Sequence, residues 1–590
     1  MLKSIGIGAE LFHKLIENDC YYVDKTPFIK TIFKENKADV MLITRPRRFG
    51  KTLTMSTFYD FLSLDPENPG DVSRQEKWFK NTKIFEDKEF CREHMGKFPV
   101  IFISLKNVSG SEFERAYYQM GCMVFDLYSS FSYLSESQKL NDAEKNIFKE
   151  IVSDKNFICN ISNKDKVTDS LSNLLKFLYK HHGIKPILLI DEYDVPIAKA
   201  AHYNYYEEMI DIISPFLGNA LKTNLYLGRA VLTGCLRAAK ESIFTGLNNL
   251  KICSVLDTGK DDISQGIGFT EKETGEVLSY YGLTDYYEGV RSNYDGYYFG
   301  KNHMYCPWDV MSFCDDNHEK LGEDRNLIIA DNYWINTSGN DVIEEFMGFI
   351  EPEDVDKMQD LLDGKSITTE VRTSLCYGDL KGHDITDFWT LLLYTGYLTF
   401  DPQSHSPEND SYSLYIPNEE IRKCFKSKIL NFLKNNSVIK NNTGKLVKGL
   451  FEGDAETVEN SLNGLLAKYV SIRDFSVNAP KENYYHGFMK GLLVNGTSYI
   501  EEHKSNTEAG DGYADLILLS SGKNAIAVLE LKIASGELDD RISISEKAIE
   551  QIIKTKYADR FMTNKTIKSV YAFGICFYKK NCSVVCKKLK

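Results

Sequence analysis

The segment Thr44-Arg45-Pro46-Arg47-Arg48-Phe49-Gly50-Lys51-Thr52 decides the fold of this chain. It follows the apolar run Val40-Met41-Leu42-Ile43 and precedes a helical pattern, which is where a phosphate-binding loop joins a strand to a helix. Its glycine lets backbone N–H groups approach a phosphate, its lysine serves the β and γ oxygens, and its last hydroxyl serves Mg²⁺. Arg45 stands where the usual motif has its first glycine. The segment therefore predicts a nucleotide-binding loop of unusual composition.

A second element, Pro186-Ile187-Leu188-Leu189-Ile190-Asp191-Glu192, is an unbroken apolar run that ends in two carboxylates. This pattern is typical of a buried parallel strand, and open α/β sheets bind ligands at the carboxyl ends of their strands. We expect Asp191 to hold Mg²⁺ and Glu192 to deprotonate the water that attacks a γ-phosphate. The alternative is a core strand whose acids only mark its exit to solvent. The nearby phosphate loop favours nucleotide hydrolysis.

Apolar runs alternate with helical stretches over about the first 255 residues, which predicts a parallel sheet covered on both faces. These runs lie at 40–44, 98–105, 186–191, 226–234 and 252–256. One run separates the phosphate-loop strand from the acidic strand, and NTPases with a catalytic glutamate show the same order. The predicted fold class of this part is α/β, with the parallel sheet of a P-loop NTPase.

Composition and charge exclude several classes of protein. The 590 residues are 43% apolar and 26% charged, which is ordinary for a soluble protein of several domains. The start of the chain does not resemble a signal peptide and no run of ~18 apolar residues occurs, so we expect no membrane association. Thirteen scattered cysteines are typical of reduced thiols in a cytoplasmic protein. A formal charge of −13 argues against a protein that coats nucleic acid indiscriminately.

The middle of the chain predicts a helical lid followed by a small module. Thr270 and Glu273 have the spacing of a capping box, which indicates the start of a helix before Val277. The small module is a helix, a hairpin and a second helix, at 387–394, 397–416 and from 418. This order resembles a winged helix, which binds DNA in many proteins. No basic cluster accompanies it, so we expect it to serve packing or the lid instead.

Two strands near the end of the chain predict a second site. Residues 510–519 and 525–532 are joined by a short turn that contains glycine, which indicates a hairpin. Asp515 leads the first strand, and Glu530 and Lys532 share a face of the second because strand side chains alternate. A carboxylate pair beside a lysine can bind Mg²⁺ and cleave a phosphodiester. The alternative is chance, because Glu-x-Lys occurs in many strands; the hairpin and the helix after it favour a metal-dependent site.

The last forty residues are basic. They contain one acid, Asp559, and ten basic residues: Lys554, Lys556, Arg560, Lys565, Lys568, Lys579, Lys580, Lys587, Lys588 and Lys590. This end is a candidate surface for a nucleic-acid backbone, although a solvated face also explains a run of charge. Cys582 and Cys586 have the spacing of a metal pair, but flanking valines and the lack of a second pair favour a strand.

The quoted segments resemble two known families. Roughly the first 340 residues resemble the bacterial AAA-ATPase-like family, through the phosphate loop and through Tyr22-Val23-Asp24-Lys25-Thr26, Leu189-Ile190-Asp191-Glu192-Tyr193-Asp194, Leu232-Thr233-Gly234-Cys235-Leu236-Arg237, Tyr294-Asp295-Gly296-Tyr297 and Tyr333-Trp334-Ile335-Asn336-Thr337-Ser338. The segment from Glu482 onward resembles the PD-(D/E)xK nuclease superfamily, through Glu508, Gly510, Asp515, Glu530, Lys532 and Gln551. The two resemblances together cover most of the chain.

The first resemblance implies a P-loop ATPase of the AAA-like or STAND-like type that uses ATP and Mg²⁺. The residues expected to bind the nucleotide are Arg47, Arg48, Phe49, Gly50, Lys51, Thr52, Leu53, Asp24 and Thr233. Of these, Thr233 is implied as the sensor, and Asp24 would lie near the nucleotide together with Lys25. Arg237 is implied as a γ-phosphate contact that assists Lys51 and Glu192 in catalysis, and Thr52 and Asp191 are the expected metal ligands.

The second resemblance implies catalysis by Asp515, Glu530 and Lys532, with the two acids as metal ligands and Glu508 as an accessory ligand. We therefore expect four domains. They are an AAA-like ATPase domain (1–260), a helical lid (261–365), a winged-helix-like and helical connector (366–470) and a nuclease-like α/β domain (471–590).

Our first hypothesis is an ATPase whose nucleotide state gates a C-terminal Mg²⁺-dependent nuclease acting on nucleic acid, in the first place DNA. The second is a nucleotide-switched, STAND-like signalling or scaffold protein with an inactive nuclease fold. A third is a DNA-binding regulator that uses the winged-helix-like module. A cytoplasmic location is expected for each, and a homo-oligomer is left open.

Overall fold

The computed structural model describes most of the chain and divides it into two compact units. The described residues are 2–33, 39–236, 250–257, 261–322, 328–334, 352–382, 384–406, 408–426, 437–469, 485, 489, 492–493, 500–509, 512–522, 524–534, 536, 539–578 and 581–590. The first unit comprises 1–343 with 364–424, and the second comprises 344–363 with 425–590. Within the described residues, no helix is both long and apolar enough to cross a membrane.

The first unit begins with a parallel α/β layer. Its strands are β1 (Val40–Thr44), β2 (Val100–Ser104), β3 (Ile187–Asp191), β4 (Arg229–Gly234) and β5 (Leu250–Cys253). Its helices are α1 (Phe12–Glu17), α2 (Lys51–Leu62), α3 (Ser73–Phe79), α4 (Lys83–Glu86), α5 (Lys88–His94), α6 (Phe113–Ser130), α7 (Asp142–Ser153), α8 (Lys155–Ile158), α9 (Lys164–His182), α10 (Val195–His202) and α11 (Tyr206–Leu221). The five predicted strands are all present, each within or close to its predicted run.

The order of the strands in this sheet is β2-β3-β4-β1-β5, and every neighbouring pair is parallel. Strands β1, β3 and β4 are buried along nearly their whole length, because helices cover both faces of the sheet. The predicted α/β class with a P-loop NTPase sheet is confirmed. Since β4 lies between β1 and β3, the phosphate loop and the acidic strand end on either side of the tip of β4.

The lid region follows with four helices and a small hairpin. They are α12 (Asp261–Ser264), α13 (Glu271–Tyr280), α14 (Tyr287–Tyr294), β6 (Tyr297–Phe299), β7 (Asn302–Met304) and α15 (Pro307–Asn317). The predicted capping box is present, since the side chain of Thr270 and that of Glu273 each accept a backbone N–H of the other residue. Val277 and Leu278 lie in a buried cluster that holds this region together.

The small module, up to residue 424, belongs to the same unit. Its elements are β8 (Ile367–Glu370), α17 (Ile385–Thr395), β9 (Thr399–Phe400) and β10 (Ser411–Tyr415), and residues 419–426 are helical. The strands form a three-stranded antiparallel sheet in the order β8-β10-β9. Gly396 ends α17 at a φ of 91°, a left-handed conformation that glycine adopts without strain. The predicted order of helix, hairpin and helix is confirmed.

The second unit is built on a mixed sheet in the order β11-β12-β13-β14-β15. Its elements are α16 (Pro352–Leu362), α18 (Ser437–Glu452), α19 (Ala455–Tyr469), β11 (Ile500–Ala509), β12 (Gly512–Ser520), β13 (Ala525–Ile533), α20 (Arg541–Lys554), α21 (Asp559–Met562), β14 (Ser569–Tyr578) and β15 (Asn581–Lys588). Strands β13 and β14 are parallel and the other neighbouring pairs are antiparallel. Cys582 and Cys586 lie in β15 and pack with one core cluster, as the strand interpretation predicted.

Two apolar clusters occupy the two faces of this sheet. On one face, α18 and α19 pack on Leu516, Leu518, Leu529 and other strand residues. On the other face, α20 packs on Ile517, Ile526 and Val528. For this helix and the residues just after it, the sequence predicts a buried face that includes Ile549, Ile552, Ile553 and Tyr557. The prediction is wrong for Ile553, which is 43% exposed. Helix α20 ends at Lys554, and Ile553 in its last turn points to solvent.

The division into two units groups the chain differently from the four predicted segments. Helices α18 and α19, which the sequence suggested as a connector, share one apolar cluster with the C-terminal sheet. The winged-helix-like module lies in the first unit together with the ATPase-like sheet and the lid. The boundaries at 260, 365 and 470 stay predictions.

Candidate functional sites

One carboxylate at the end of β3 connects two other segments of the first unit, the start of α2 and the end of β4. Asp191, at the end of β3, is fully buried. The hydroxyl of Thr52 donates to its Oδ2 at 2.6 Å, and the hydroxyl of Thr233 donates to its Oδ1 at 2.5 Å. Thr52 follows the phosphate loop, and Thr233 stands near the end of β4, so one carboxylate joins the loop to two strands. This is the convergence on which the sequence prediction of a nucleotide site depends.

The phosphate loop turns into α2 at the predicted residues. Gly50 caps the helix with a φ of 90°, and no atom lies within 4 Å of the place that a Cβ would take, so space remains in front of the helix. Lys51 is only 5% exposed, and its ammonium donates to the carbonyl oxygens of Arg45 at 3.1 Å and Pro46 at 3.0 Å. The lysine is thus held at the mouth of the loop, where backbone N–H groups face any bound anion.

The arginine that replaces the first glycine of the motif serves the structure of the loop. The Arg45 side chain is buried and donates to the carbonyl oxygens of Thr44, Cys253 and Ile263 at 2.7, 3.1 and 3.3 Å. Its guanidinium also lies 4.6 Å from the ring centre of Phe299. Burial lowers the pKa of Arg45 to about 10. The loop is therefore tied to β5 and to the lid region.

Two further loop residues face the lid. Phe49 is buried, with ring centres of Tyr297 and Phe299 each 5.0 Å away. Arg48 adopts a φ of 71°, and its guanidinium lies 4.2 Å from the ring centre of Trp308. The Arg48 side chain also donates to the carbonyl of Tyr333 at 3.4 Å. The segments around Tyr297 and Tyr333, quoted for the family resemblance, are therefore those that touch the loop.

Glu192, the expected general base, is held in a strained conformation. Its φ of 49° lies in the left-handed region, which non-glycine residues adopt rarely and usually at functional sites. Burial raises the pKa of its carboxyl, the charges of Asp191 and Asp194 act in the same direction, and Lys51 and Arg47 oppose them. A carboxyl with a raised pKa accepts a proton more readily near neutral pH, as a general base must.

The residues after Glu192 are clamped to the tip of β4. The N–H of Tyr193 donates to the carbonyl of Thr233 at 3.1 Å. Asp194 is buried, and its Oδ2 accepts the N–H groups of Cys235 at 2.9 Å and Leu236 at 3.0 Å. A Cβ at Gly234 would lie 2.6 Å from the ring of Tyr193, so only glycine allows this close approach. The clamp fixes the direction of the Glu192 backbone.

The remaining nucleotide-site predictions have mixed placements. Leu53 lies in the first turn of α2. Asp24 accepts the N–H and hydroxyl of Thr26 at 2.9 and 2.6 Å and the N–H of Lys83 at 2.6 Å, so it organises the N-terminal segment. Lys25 donates to Glu273 of the lid capping box at 2.6 Å. Arg237 lies outside the described residues. The nucleotide roles of all the predicted residues, Asp24 and Arg237 included, stay predictions.

The donor set of this site fits a hydrated Mg²⁺ ion. Thr52 and Asp191 offer one hydroxyl and one carboxylate that already share a hydrogen bond. Mg²⁺ in phosphate-binding sites usually takes one or two protein ligands and completes its shell with water and phosphate oxygens. Among the described residues, no group of three or more His, Cys, Asp and Glu side chains forms a metal site. Thr52 and Asp191 are thus the two protein ligands expected at this first site.

The second candidate site lies on the α20 face of the C-terminal sheet. Glu530 and Lys532 are in phase with Val528, which packs on that face, because side chains alternate along β13. The ammonium of Lys532 donates to Oε1 of Glu530 at 2.9 Å, and Glu530 is buried. Asp515, on the neighbouring strand β12, accepts the N–H of Leu531 at 2.8 Å. The three predicted residues are thus brought together within two adjacent strands.

Helix α20 completes this second site. The side-chain amide of Gln551 donates to Oε1 of Glu530, the oxygen that also receives Lys532. The helix reaches this far because Gly574, which pairs with Glu530 across β13 and β14, has no side chain. A Cβ there would lie 1.9 Å from the carbonyl oxygen of Ser545. The side chain of the predicted accessory ligand Glu508 lies outside what the structure describes.

Sequence reasoning missed two residues close to the nucleotide site. Tyr377 is buried and its hydroxyl donates to Oδ2 of Asp194 at 3.2 Å, although 183 positions separate the two in the chain. Lys106 follows β2, and its pKa is raised by its hydrogen bond to Glu10 and further by the charges of Glu192 and Asp191. Neither belongs to a recognisable motif. Only pairing of distant segments, which one sequence does not show, could have found them.

Comparison with known proteins assigns a family to each end of the chain. Residues 6–244 match the model of the AAA-ATPase-like family, described as predicted AAA-ATPase. Residues 480–587 match the model of the PD-(D/E)XK nuclease superfamily. The chain is also similar to a protein of Azotobacter chroococcum mcd 1 described as an uncharacterized protein in the vnfD 5' region. The two are 21% identical over 592 residues, which cover 99% of this chain and 98% of that protein.

Proposed function

We propose that this chain, which joins an AAA-ATPase-like domain to a PD-(D/E)XK nuclease superfamily domain, binds and hydrolyses ATP and thereby gates Mg²⁺-dependent cleavage of nucleic acid, in the first place DNA. The observation that carries the proposal is the pair of hydrogen bonds on Asp191, which links the hydroxyl of Thr52 to that of Thr233. P-loop NTPases hold Mg²⁺ with a loop hydroxyl and a strand-end aspartate of this kind.

At the first site, Lys51 offsets the negative charge of the β- and γ-phosphates. Glu192 accepts a proton from a water molecule while the oxygen of that water bonds to the γ-phosphorus. The bond between the γ-phosphorus and the β–γ bridging oxygen breaks, so that ADP and phosphate are formed. Thr233 holds Asp191 in place and so reports the state of the site to β4. Mg²⁺ held by Thr52 and Asp191 supplies further positive charge to the phosphates.

At the second site, Asp515 and Glu530 are the ligands for Mg²⁺, which supplies Lewis acidity at a phosphodiester. Lys532 lies beside Glu530 and is placed to stabilise the negative charge that develops on the phosphate. Gln551 orients Glu530 from the opposite side. The oxygen of a water molecule bonds to the phosphorus and that water gives up a proton to solvent. The bond from phosphorus to a sugar oxygen breaks and this oxygen takes up a proton from solvent, so that a phosphomonoester and a hydroxyl are formed.

The surface charge of the second unit supports a nucleic-acid substrate. Seven basic side chains after residue 551 are exposed: Lys554, Lys556, Arg560, Lys565, Lys568, Lys587 and Lys588. Exposed lysines and arginines of this kind release counterions when they approach a phosphate backbone. The net charge of the whole chain is −13, so these seven exposed basic side chains are a local excess of positive charge. A salt-dependent affinity for nucleic acid is the expected consequence.

The test is to measure ATP turnover and DNA cleavage by the purified protein, with and without Mg²⁺ and with single- or double-stranded DNA. Glu192→Gln should still bind ATP but lose about 10²-fold or more of its turnover. Lys532→Ala should lose cleavage, while Lys547→Ala, which removes an exposed lysine of α20, should not. If the parent protein cleaves neither DNA nor RNA, the proposed nuclease activity is wrong. If it does not hydrolyse ATP, the proposed ATPase activity is wrong.

A second candidate function is a nucleotide-switched scaffold with an inactive nuclease fold. It is favoured by the contacts of Arg45, which connect the phosphate loop to Cys253, Ile263 and Phe299. Bound ATP or ADP would then set the position of the lid region through this side chain. Retention of nucleotide through gel filtration, with turnover below about one per hour and no cleavage, would support the scaffold over the ATPase-gated nuclease.

A further inference from the structure

The three arginines of the phosphate loop take three different directions. Arg45 is buried against backbone carbonyls, and Arg48 lies over Trp308. Arg47 instead lines a small cavity together with Glu192, the residue after the end of β3. Since Arg45 and Arg48 are engaged away from this cavity, Arg47 is the loop arginine that stands beside the expected general base.

The cavity has the size and the walls of a chamber for water. Its volume is about 30 Å³, and a space above about 10–15 Å³ accommodates a water molecule. Its lining includes Arg47, Glu192, Asp194, Gly234 and Cys235, so it lies at the carboxyl end of the sheet between β3 and β4. A water there has carboxylate and guanidinium partners within one chamber. This is the composition expected where a water is activated and charge develops.

Electrostatics keeps Arg47 charged in this place. Burial lowers its pKa, but the thiol of Cys235, the hydroxyl of Tyr377 and the carboxylates of Glu192 and Asp194 act in the opposite direction and together leave the pKa raised. Asp194 already accepts two backbone N–H groups and the hydroxyl of Tyr377 with its Oδ2. The guanidinium therefore faces a site in which the carboxylate of Asp194 is fixed by its own donors, which keeps that part of the geometry preorganised.

We propose that Arg47 contacts the γ-phosphate from within its own phosphate loop and stabilises the charge of the transition state in cis, as an arginine finger does. No bond to Arg47 forms or breaks; its N–H groups donate to γ-phosphate oxygens while Glu192 takes the proton of the attacking water. The inference rests on the proposed ATPase function and extends it. It implies that one chain contains a complete catalytic site, so turnover needs no neighbouring copy.

The first test compares Arg47→Ala with the parent protein and with Arg229→Gln. Arg229 starts β4 and pairs with Asp39 at 3.0 Å. Arg229→Gln therefore removes an arginine at the end of β4 that lies opposite the cavity. Arg47→Ala should lower kcat by about 10³-fold or more with less than about threefold change in ATP affinity, because the contact acts mainly on the transition state. Arg229→Gln should turn over like the parent. Guanidinium ions added to Arg47→Ala should restore part of the turnover.

The second test separates a finger in cis from one in trans. Arg47→Ala and Glu192→Gln are mixed at equal concentrations above those at which the parent is assayed. A finger in cis leaves every site of the mixture defective, so turnover should stay at the level of the separate variants. A finger in trans would restore up to about one quarter of parental activity if random dimers form, and would overturn the proposal.

Other outcomes also decide the matter. Parental kcat in Arg47→Ala, or loss of ATP affinity that accounts for the whole defect, would overturn the inference while leaving the ATPase proposal standing. Absence of turnover in the parent protein itself would instead end the ATPase proposal, whatever Arg47 does. ATP binding by Arg47→Ala shows that the variant is folded, and Arg47→Lys, which keeps the charge without the planar fork, should recover only part of kcat.

Discussion

The two candidate sites of this chain are assembled in opposite ways. The first joins Lys51, Asp191 and Thr233, which belong to three parallel strands and their loops, and the bond from Thr52 to Asp191 spans 139 positions. The second joins Asp515, Glu530 and Lys532 on one face of two neighbouring antiparallel strands, and one following helix completes it. The first site depends on the order of strands in a sheet, whereas the second depends on the register of one hairpin.

This difference determines what can disturb each site. Side chains of the first site are fixed by hydroxyls and N–H groups from distant segments, as the clamp of Asp194 on Cys235 and Leu236 shows. In the second site, Glu530 is fixed by Lys532 two positions away and by Gln551 on α20. A slip of one residue in β13 would turn Glu530 to the other face of the sheet. Close packing of α20 protects against that slip.

The largest expected effect tests whether the two sites are coupled in one direction. Lys51→Ala should abolish ATP turnover and ATP-dependent DNA cleavage together, each by about 10²-fold or more, because gating requires the nucleotide state. Asp515→Asn should abolish cleavage and leave ATP turnover within about twofold. Parallel assays of phosphate release and of cleavage of a labelled duplex measure both. Cleavage unchanged in Lys51→Ala would show that the sites work independently.

A variant that disturbs the packing of α20 on β14 should disrupt the second site, because α20 contributes Gln551 to it. Gly574→Ala places a Cβ 1.9 Å from the carbonyl oxygen of Ser545, so α20 must move away from β14 at a cost of about 3 kcal/mol or more. Gly444→Ala in α18 is the matched control: nothing lies within 4 Å, and the change should stabilise the unit by about 0.5–1 kcal/mol. Hydrogen exchange of β13 and β14 amides in the full chain reports both. Equal exchange in the two variants would contradict the close packing.

A milder effect is expected at Gln551, because it touches Glu530 rather than the reacting phosphate. Gln551→Ala should lower Mg²⁺-dependent cleavage or metal affinity by about 10–100-fold, the usual effect of losing a residue that orients a metal ligand. Raising the Mg²⁺ or Mn²⁺ concentration should recover part of the loss. ATP turnover should be unaffected. No dependence on metal concentration in this variant would argue against a positioning role.

The smallest effect concerns pH at the first site. Burial raises the pKa of Glu192, so its folded-state pKa lies above that of an ordinary glutamate. The base works deprotonated, and kcat/KM for ATP should therefore fall as the pH drops through that raised pKa, about twofold at the inflection and about tenfold one pH unit lower. Stopped-time phosphate assays across the acidic range measure it. In Glu192→Gln the residual turnover should lack this inflection.

Much of this architecture is predictable from local patterns. Apolar runs located the five strands of the first sheet, and Thr270 and Glu273 located the start of α13. The shared face of Glu530 and Lys532 followed from the alternation of side chains along a strand. These features depend on neighbours within a few positions. Ile553 is the counterexample, since helical periodicity placed it in the core but the last turn of α20 exposes it.

The roles of the loop arginines were beyond such reasoning. In the sequence, Arg45 is only a departure from the usual first glycine, whereas Arg47 and Arg48 are both predicted to bind the nucleotide. The structure buries Arg45 on carbonyl groups and stacks Arg48 on Trp308. Likewise, nothing near Tyr377 in the chain indicates that its hydroxyl meets Asp194. Side-chain direction in a loop depends on which distant segments surround it, and those are set only when the whole unit packs.

By itself, the sequence determined which elements form and which residue types stand at their ends, because hydrogen bonding and the burial of apolar side chains act along short stretches of chain. It thereby predicted the phosphate loop, the acidic strand and the C-terminal hairpin. Only the tertiary structure decided that β4 lies between β1 and β3, that Asp191 joins two hydroxyls, and that Arg47 shares a cavity with Glu192. The physical reason is that these contacts join segments far apart in the chain. They form only when close packing of the sheet and its helices allows each side chain a single conformation.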